Sequence, residues 1–146
     1  MLNLLPGISS TTAALTAERI RMDIISQNIA NAHTAQGPNG QPYQRQQVVF
    51  ETVLNQQQQA SAGIGDVRPQ TVQVARVQPD NRPTIRVYNP GHPQADKNGM
   101  VAMPNVNVHE EMADLIVSSR AFEANLAVVK NARSLAMQTL AIGKRT

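Results

Sequence analysis

The chain has 146 residues, a net charge of +3 and a hydrophobic fraction of 41%, and it contains no cysteine. This length fits one domain, and the lack of cysteine excludes disulfides, thiolate catalysis and cysteine-ligated metal sites. The aromatic residues are two tyrosines and two phenylalanines, and Lys and Arg form no cluster. The composition therefore argues against nucleic-acid binding, and it indicates a thin core or one that neighbouring chains complete.

The first predicted element is a helix from Ser9 to Ala32. The Pro6-Gly7 pair is expected to break any earlier helix, and Ser9 or Ser10 would then cap its start. Apolar residues recur every seven positions, with one extra member, and predict a narrow heptad-like seam for packing against other helices. This seam consists of Ile8, Leu15, Met22, Ile25 and Ile29.

Two asparagines lie at the end of this helix. Asn28 and Asn31 are expected to help terminate it, because Asn tolerates the left-handed backbone conformation. Hydrogen bonding between their side chains and neighbouring subunits is the alternative role, and we favour a mixture of the two.

The segment 35–107 is rich in Pro, Gly, Gln and Asn and predicts a small β insert. Strand-like patterns cover Gln44–Val53, Thr71–Val77 and Thr84–Tyr88. The Gln-rich stretch Asn55–Gly65 is typical of a flexible loop. Because the strands are few, the insert would be only marginally stable alone.

A longer helix is predicted from Val108 to Ile142. Asn107 stands at the cap position with Glu110 three residues later, which is an Asn variant of the capping box. Glu110 and Glu111 are interpreted as charges that complement the positive end of the helix dipole. Gly143 is expected to stop the helix.

Residues spaced alternately three and four apart form a seam along this second helix, which favours side-by-side helix packing. The polar members Ser119 and Arg133 indicate either a partly exposed helix or control of register between partners. The seam consists of Met112, Leu115, Ser119, Phe122, Leu126, Val129, Arg133, Ala136 and Leu140.

These elements predict a mainly α fold with a small β insert, divided into residues 1–34, 35–107 and 108–146. The terminal helices would pack as a coiled-coil-like layer, about 35 Å and 50 Å long. The shorter helix and the small insert are too small to cover the longer seam. We therefore expect the remainder of both seams to contact other copies or other chains as an assembly interface.

Three stretches resemble the bacterial flagellar rod and hook proteins, and in particular the subunits of the proximal rod. They are Ser26–Ala32 (SQNIANA), Tyr88–Gly99 (YNPGHPQADKNG) and Ser119–Asn125 (SRAFEAN). The resemblance implies a structural subunit of the basal body that polymerises through its terminal helices into the torque-transmitting drive shaft for motility. It also implies a periplasmic rod location and export by the flagellar type III system without a cleaved signal peptide.

The implied partners are other copies of the chain, other rod proteins and the membrane-ring or export-gate components of the basal body, with neither nucleic acid nor direct membrane insertion. The alternative is a secreted coiled-coil binding module or effector. His92 and Asp96 could form a general-base or metal pair, but the Pro, Gly and Asn residues around them favour a turn. We therefore expect no catalytic residue, metal or cofactor, and no enzymatic activity.

Overall fold

The computed structural model describes residues 5–37, 39–54 and 70–143. The two terminal helices pack against each other, and a small insert of two antiparallel sheets lies between them in the chain. This architecture confirms the predicted fold class. The elements in chain order are α1 (Leu5–Ala30), β1 (Gln46–Leu54), β2 (Gln70–Pro79), β3 (Ile85–Tyr88), β4 (Met100–Met103) and α2 (Val108–Gly143).

Helix α1 begins at Leu5, so the prediction that Pro6-Gly7 breaks an earlier helix is wrong. Proline is tolerated in the first turn of a helix, where its missing N–H would have had no partner within the helix. Ser9 and Ser10 lie inside α1 and therefore do not cap its start.

The end of α1 does not use a left-handed asparagine. No described residue other than glycine has a positive φ, so the expectation for Asn28 and Asn31 is wrong on this point. Instead, the Asn31 side-chain amide donates to the Gln27 carbonyl at 2.9 Å, and the Thr34 hydroxyl donates to Asn31 Oδ1 at 3.3 Å. The Gln27 carbonyl in the last turn thus accepts both the backbone N–H and the side-chain amide of Asn31.

Strands β1 and β2 form one antiparallel pair, with Gln46 opposite Pro79 and a bulge between Val49 and Phe50. Strands β3 and β4 form the other, with Ile85 opposite Met103. The sequence predicted β1, β2 and β3 to within a few residues but missed β4, because four residues show no clear alternation. The predicted loop at 55–65 lies outside the described residues.

The connection between β3 and β4, residues 89–99, is a loop held by hydrogen bonds to its own backbone. The Asn89 N–H donates to the Gly99 carbonyl at 2.9 Å, and Asp96 Oδ1 accepts the backbone N–H groups of Asn98 and Met100 at 2.7 and 2.9 Å. These two bonds, that of Met100 first, lower the pKa of the Asp96 carboxyl. Gly99 has φ +72°, and a Cβ there would lie 2.9 Å from Cε2 of Tyr88.

Replacing Gly99 with Ala should therefore destabilise the chain by about 1–2 kcal/mol, because the left-handed backbone is unfavourable for an L-residue. The matched control is Gly91→Ala, since a Cβ at Gly91 meets its nearest atom at 3.9 Å. Chemical denaturation followed by circular dichroism measures both variants. Equal unfolding midpoints for the two would contradict the expectation.

Candidate assembly interface

The two helices run antiparallel. Asn28 contacts Glu111, Arg21 lies 3.7 Å from Asp114 and the Ser118 hydroxyl donates to Glu18 at 2.5 Å. The partners on α1 therefore move towards its N-terminus as those on α2 move towards its C-terminus.

Helix α2 is longer than the partner that covers it. From the Glu18–Ser118 contact, 13 residues of α1 remain to Leu5, whereas 25 residues of α2 remain to Gly143. At about 1.5 Å per residue, α2 extends roughly 18 Å beyond the start of α1. We call this last part of α2, residues 132–143, the overhang. Its apolar residues Leu135, Met137, Leu140 and Ile142 are 59–70% exposed.

The residues predicted for the assembly interface, which are seam residues together with Asn28 and Asn31, fall into two groups. Ile25 and Asn28 are only 4% and 1% exposed, so the structure places them inside the chain's own core and not on a surface open to another subunit. The other members are half-buried or exposed. Half-buried are Ile8, Leu15, Met22, Ile29, Asn31, Leu115, Phe122, Leu126 and Val129; exposed are Met112, Arg133 and Leu140.

Asn107 occupies the cap of α2. Its Oδ1 accepts the His109 N–H at 3.1 Å, and its side-chain amide donates to Glu110 Oε1 at 3.3 Å. Glu110 thus bonds to the cap side chain, whereas in a capping box it would bond to the backbone N–H of the cap residue.

Sequence reasoning missed another stripe on α2, which we call the outer seam. Its spacing also alternates between three and four, but its alanine and amide members weaken the apolar signal. At 3.6 residues per turn it lies to one side of Glu111 and Ser118, which face α1. Its four large apolar side chains are 54–70% exposed. The outer seam consists of Val117, Ala121, Ala124, Val128, Asn131, Leu135, Gln138 and Ile142.

A buried polar group joins the helices to the insert, and we call it the Asn28 cluster: Asn28, Tyr43, Arg45, Gln46 and Glu111. Glu111 is fully buried, and its Oε1 accepts the Arg45 Nε–H at 2.6 Å. The interpretation of Glu111 as a charge that complements the helix dipole is therefore incomplete. Burial, and then the Glu111 charge, raise the pKa of the Tyr43 hydroxyl.

The network continues towards the connection between β2 and β3. The backbone N–H of Arg45 donates to Asn105 Oδ1 at 2.8 Å, and Asn105 Nδ2 donates to the backbone carbonyl of Arg82 at 2.8 Å. The Arg45 guanidinium lies 3.4 Å from Asp80. Sequence reasoning missed this network because its partners lie far apart in the chain and none belongs to a periodic pattern.

The described residues show little sign of a catalytic or metal-binding site. His92 Nδ1 accepts the Gln94 N–H at 3.2 Å, while Asp96 binds backbone groups of its own turn. Within the described ranges, no group of three or more His, Asp or Glu side chains could hold a metal ion. No helix there has the length and apolar character needed to cross a membrane.

Comparison with known proteins assigns both helical ends to one class. The family model "Flagella basal body rod protein" matches residues 9–35, and "Flagellar basal body rod FlgEFG protein C-terminal" matches residues 97–142. The helix pair is therefore that of a flagellar rod protein.

Full-length relatives identify the family more closely. The chain is 40% identical to the flagellar basal-body rod protein FlgC of Borreliella burgdorferi, over 97% of this chain and 98% of that protein. It is 40% identical to FlgC of Salmonella typhimurium over 90% and 92%, and 36% identical to FlgC of Bacillus subtilis over 94% and 97%. The chain belongs to the FlgC family, and it is a structural rod subunit. The matches lend no support to a secreted binding module.

Removing Glu111 tests the energetics of the cluster. Glu111→Ala should cost about 3 kcal/mol or more, because it leaves the mostly buried Arg45 charge without its closest partner. The control Glu110→Ala removes an exposed carboxylate 3.4 Å from Arg82 and should cost less than about 1 kcal/mol. Urea denaturation compares the two variants, and a cost for Glu111→Ala no larger than that of the control would contradict the expectation.

The lowered pKa of Asp80 predicts that the stability of the fold depends on pH. The Arg82 backbone N–H, and then the Arg82 and Arg45 side chains, lower its pKa from 3.8 despite opposing burial. A lowered folded pKa stabilises the chain above the unfolded pKa, and this stabilisation is lost as the pH falls through the folded value. Asp80→Asn should therefore be less stable than the unchanged chain at pH 7 and should lose less stability between pH 5 and pH 2. Denaturation at several pH values tests this, and parallel profiles would contradict it.

Proposed function

We propose that this chain is a subunit of the proximal rod and that it polymerises through its terminal helices into the shaft that transmits torque. The observation that carries the proposal is the exposed apolar surface of α2, which comprises the outer seam and the overhang. Val128, Leu135 and Ile142 recur every seven residues along one side of α2, a spacing typical of helix packing, and the part of this chain that the structure describes leaves them exposed.

The size of the surface favours association. The outer seam runs from Val117 to Ile142, a rise of roughly 38 Å along the helix axis. Full burial of each large apolar side chain is worth about 1.5–3 kcal/mol. Contacts spread along a long helix also resist a twisting load together, because many small packing interactions act in parallel.

The geometry of the helix pair favours a filament over a closed dimer. Among the described residues, the overhang projects from one end of the pair only, so the surface that it offers differs from the surface that would receive it. Contacts between two different surfaces produce rings or open helical filaments, depending on the rotation between subunits. A rod is an open helical filament of this kind.

The partners that we propose are other copies of the chain, other rod proteins and the membrane-ring or export-gate components of the basal body. The subunit would lie in the rod where it crosses the periplasm, after passage through the flagellar export system. We also propose that it is not an enzyme. The separate backbone bonds of His92 and Asp96 support this, since neither side chain contacts the other in a catalytic pair.

The test is complementation of a strain that lacks the gene. The deletion should abolish motility, and the unchanged chain should restore it. Val128→Glu and Leu135→Glu alter the outer seam at exposed positions, so they should leave the isolated fold intact while preventing incorporation into hook-basal bodies. The control is Ala127→Glu, at an exposed neighbour outside the seam. Circular dichroism checks folding, and normal motility of both seam variants would contradict assembly through this surface.

A further inference from the structure

We propose that the Asn28 cluster is a positioning device that fixes the direction of the β1–β2 hairpin relative to the helix pair. On this proposal, rod assembly depends on that direction, whereas folding of the helix pair does not. The part concerning assembly rests on the proposed function. The part concerning direction is a property of the single chain and can be measured separately.

Asn28 uses all of its hydrogen-bonding capacity in the cluster. Its Nδ2 donates to the Gln46 carbonyl at 2.8 Å and to Glu111 Oε2 at 3.0 Å. Its Oδ1 accepts the Gln46 N–H and the Tyr43 hydroxyl, both at 2.9 Å. An asparagine amide has two N–H donors and two acceptor lone pairs, so none remains free. Asp, Ser and Leu could not reproduce this set.

The two bonds to Gln46 bind the first residue of β1 as a neighbouring strand would. The side-chain amide of α1 gives and receives one hydrogen bond with the same backbone unit, which is the pattern of a paired position in an antiparallel sheet. The starting direction of β1 is therefore tied to α1 by hydrogen bonds, whose strength depends steeply on angle.

Glu111 ties α2 to the same point. Its two carboxylate oxygens bind Asn28 and Arg45, and Arg45 is the residue that precedes β1. Replacing a buried ion pair with apolar residues of similar volume is often neutral or stabilising. Net stability therefore does not explain why a fully buried carboxylate stands here, whereas a fixed geometry does.

Apolar packing does not supply this geometry. Clefts of about 390 Å³ and 270 Å³ lie along the hairpin, the first lined by Ile24, Val48 and Phe50 and the second by Ile20 and Val74. Both clefts are open grooves, so apolar contact between hairpin and helix is interrupted there, and the first groove also borders Asn28, Arg45 and Gln46 of the cluster. Burial of apolar surface is also non-directional. The cluster is therefore the contact that defines how the hairpin leaves the helices.

The experiment removes both charges while keeping the volume, with the double variant Arg45→Met and Glu111→Met. The chain contains no cysteine, so Arg19→Cys on α1 and Glu51→Cys on β1, both exposed positions, take spin labels uniquely. Pulsed electron resonance should give one narrow label-to-label distance in the otherwise unchanged chain. The double variant should lose it and show a broad distribution, while circular dichroism keeps the full helical signal.

The matched control is Arg82→Met with Glu110→Met. This ion pair is exposed, with side chains 49% and 53% accessible and an N–O distance of 3.4 Å. It should leave the narrow distance unchanged. A narrow distance in the Arg45/Glu111 variant would overturn the proposal. Loss of its helical signal would also overturn it, because the cluster would then be needed to hold the fold together. Asn28→Ala should repeat the broadening if the amide sets the direction.

The assembly readout separates this inference from the proposed function. Without spin labels, the Arg45/Glu111 variant should fold but fail to restore motility to the deletion strain, whereas the Arg82/Glu110 control should restore it. If the unchanged chain also failed to restore motility, the proposed function would be wrong while the distance result still stood. If the distances broadened but the double variant restored normal motility, the link between hairpin direction and assembly would be refuted.

Discussion

The placement of the insert on the helix pair depends on the burial of one carboxylate. Glu111 has no solvent contact, and an isolated buried charge would be strongly unfavourable, so it must have both a cation and hydrogen-bond donors within reach. Arg45 and Asn28 meet that requirement from two other parts of the chain. A single electrostatic demand therefore brings together the end of α1, the start of β1 and the first turn of α2.

Outside the Asn28 cluster, much of the apolar surface of the described residues stays exposed to solvent. Away from the cluster, the helices keep much of their apolar surface in water, and the hairpin leaves clefts against α1. The described part of the chain thus combines one well-satisfied polar centre with a sparse hydrophobic core. In the assembly that we propose, such a subunit would gain further burial from its neighbours, which agrees with its membership of a family of rod proteins.

Short-range sequence patterns predicted the helices, because helix formation and capping depend on residues close together in the chain. Periodicity identified both helices, and the Asn107 cap signal placed the start of α2 at the residue where it begins. The sequence could not reveal that Ile25 and Asn28 are internal, or that Glu111 pairs with Arg45, because these contacts join residues up to 83 positions apart. The sequence indicates a role for Asn28 only through its position near the end of α1. Its hydrogen bonds in the structure depend on a strand that begins 18 residues later.

The overhang of α2 has a consequence for growth. A subunit that projects at one end only has a head and a tail, so any stack of such subunits inherits the same direction. In the proposed filament the two extremities would differ: one would expose the overhang, and the other would expose the surface that receives it. New subunits could therefore be admitted at one extremity while the opposite one stays anchored.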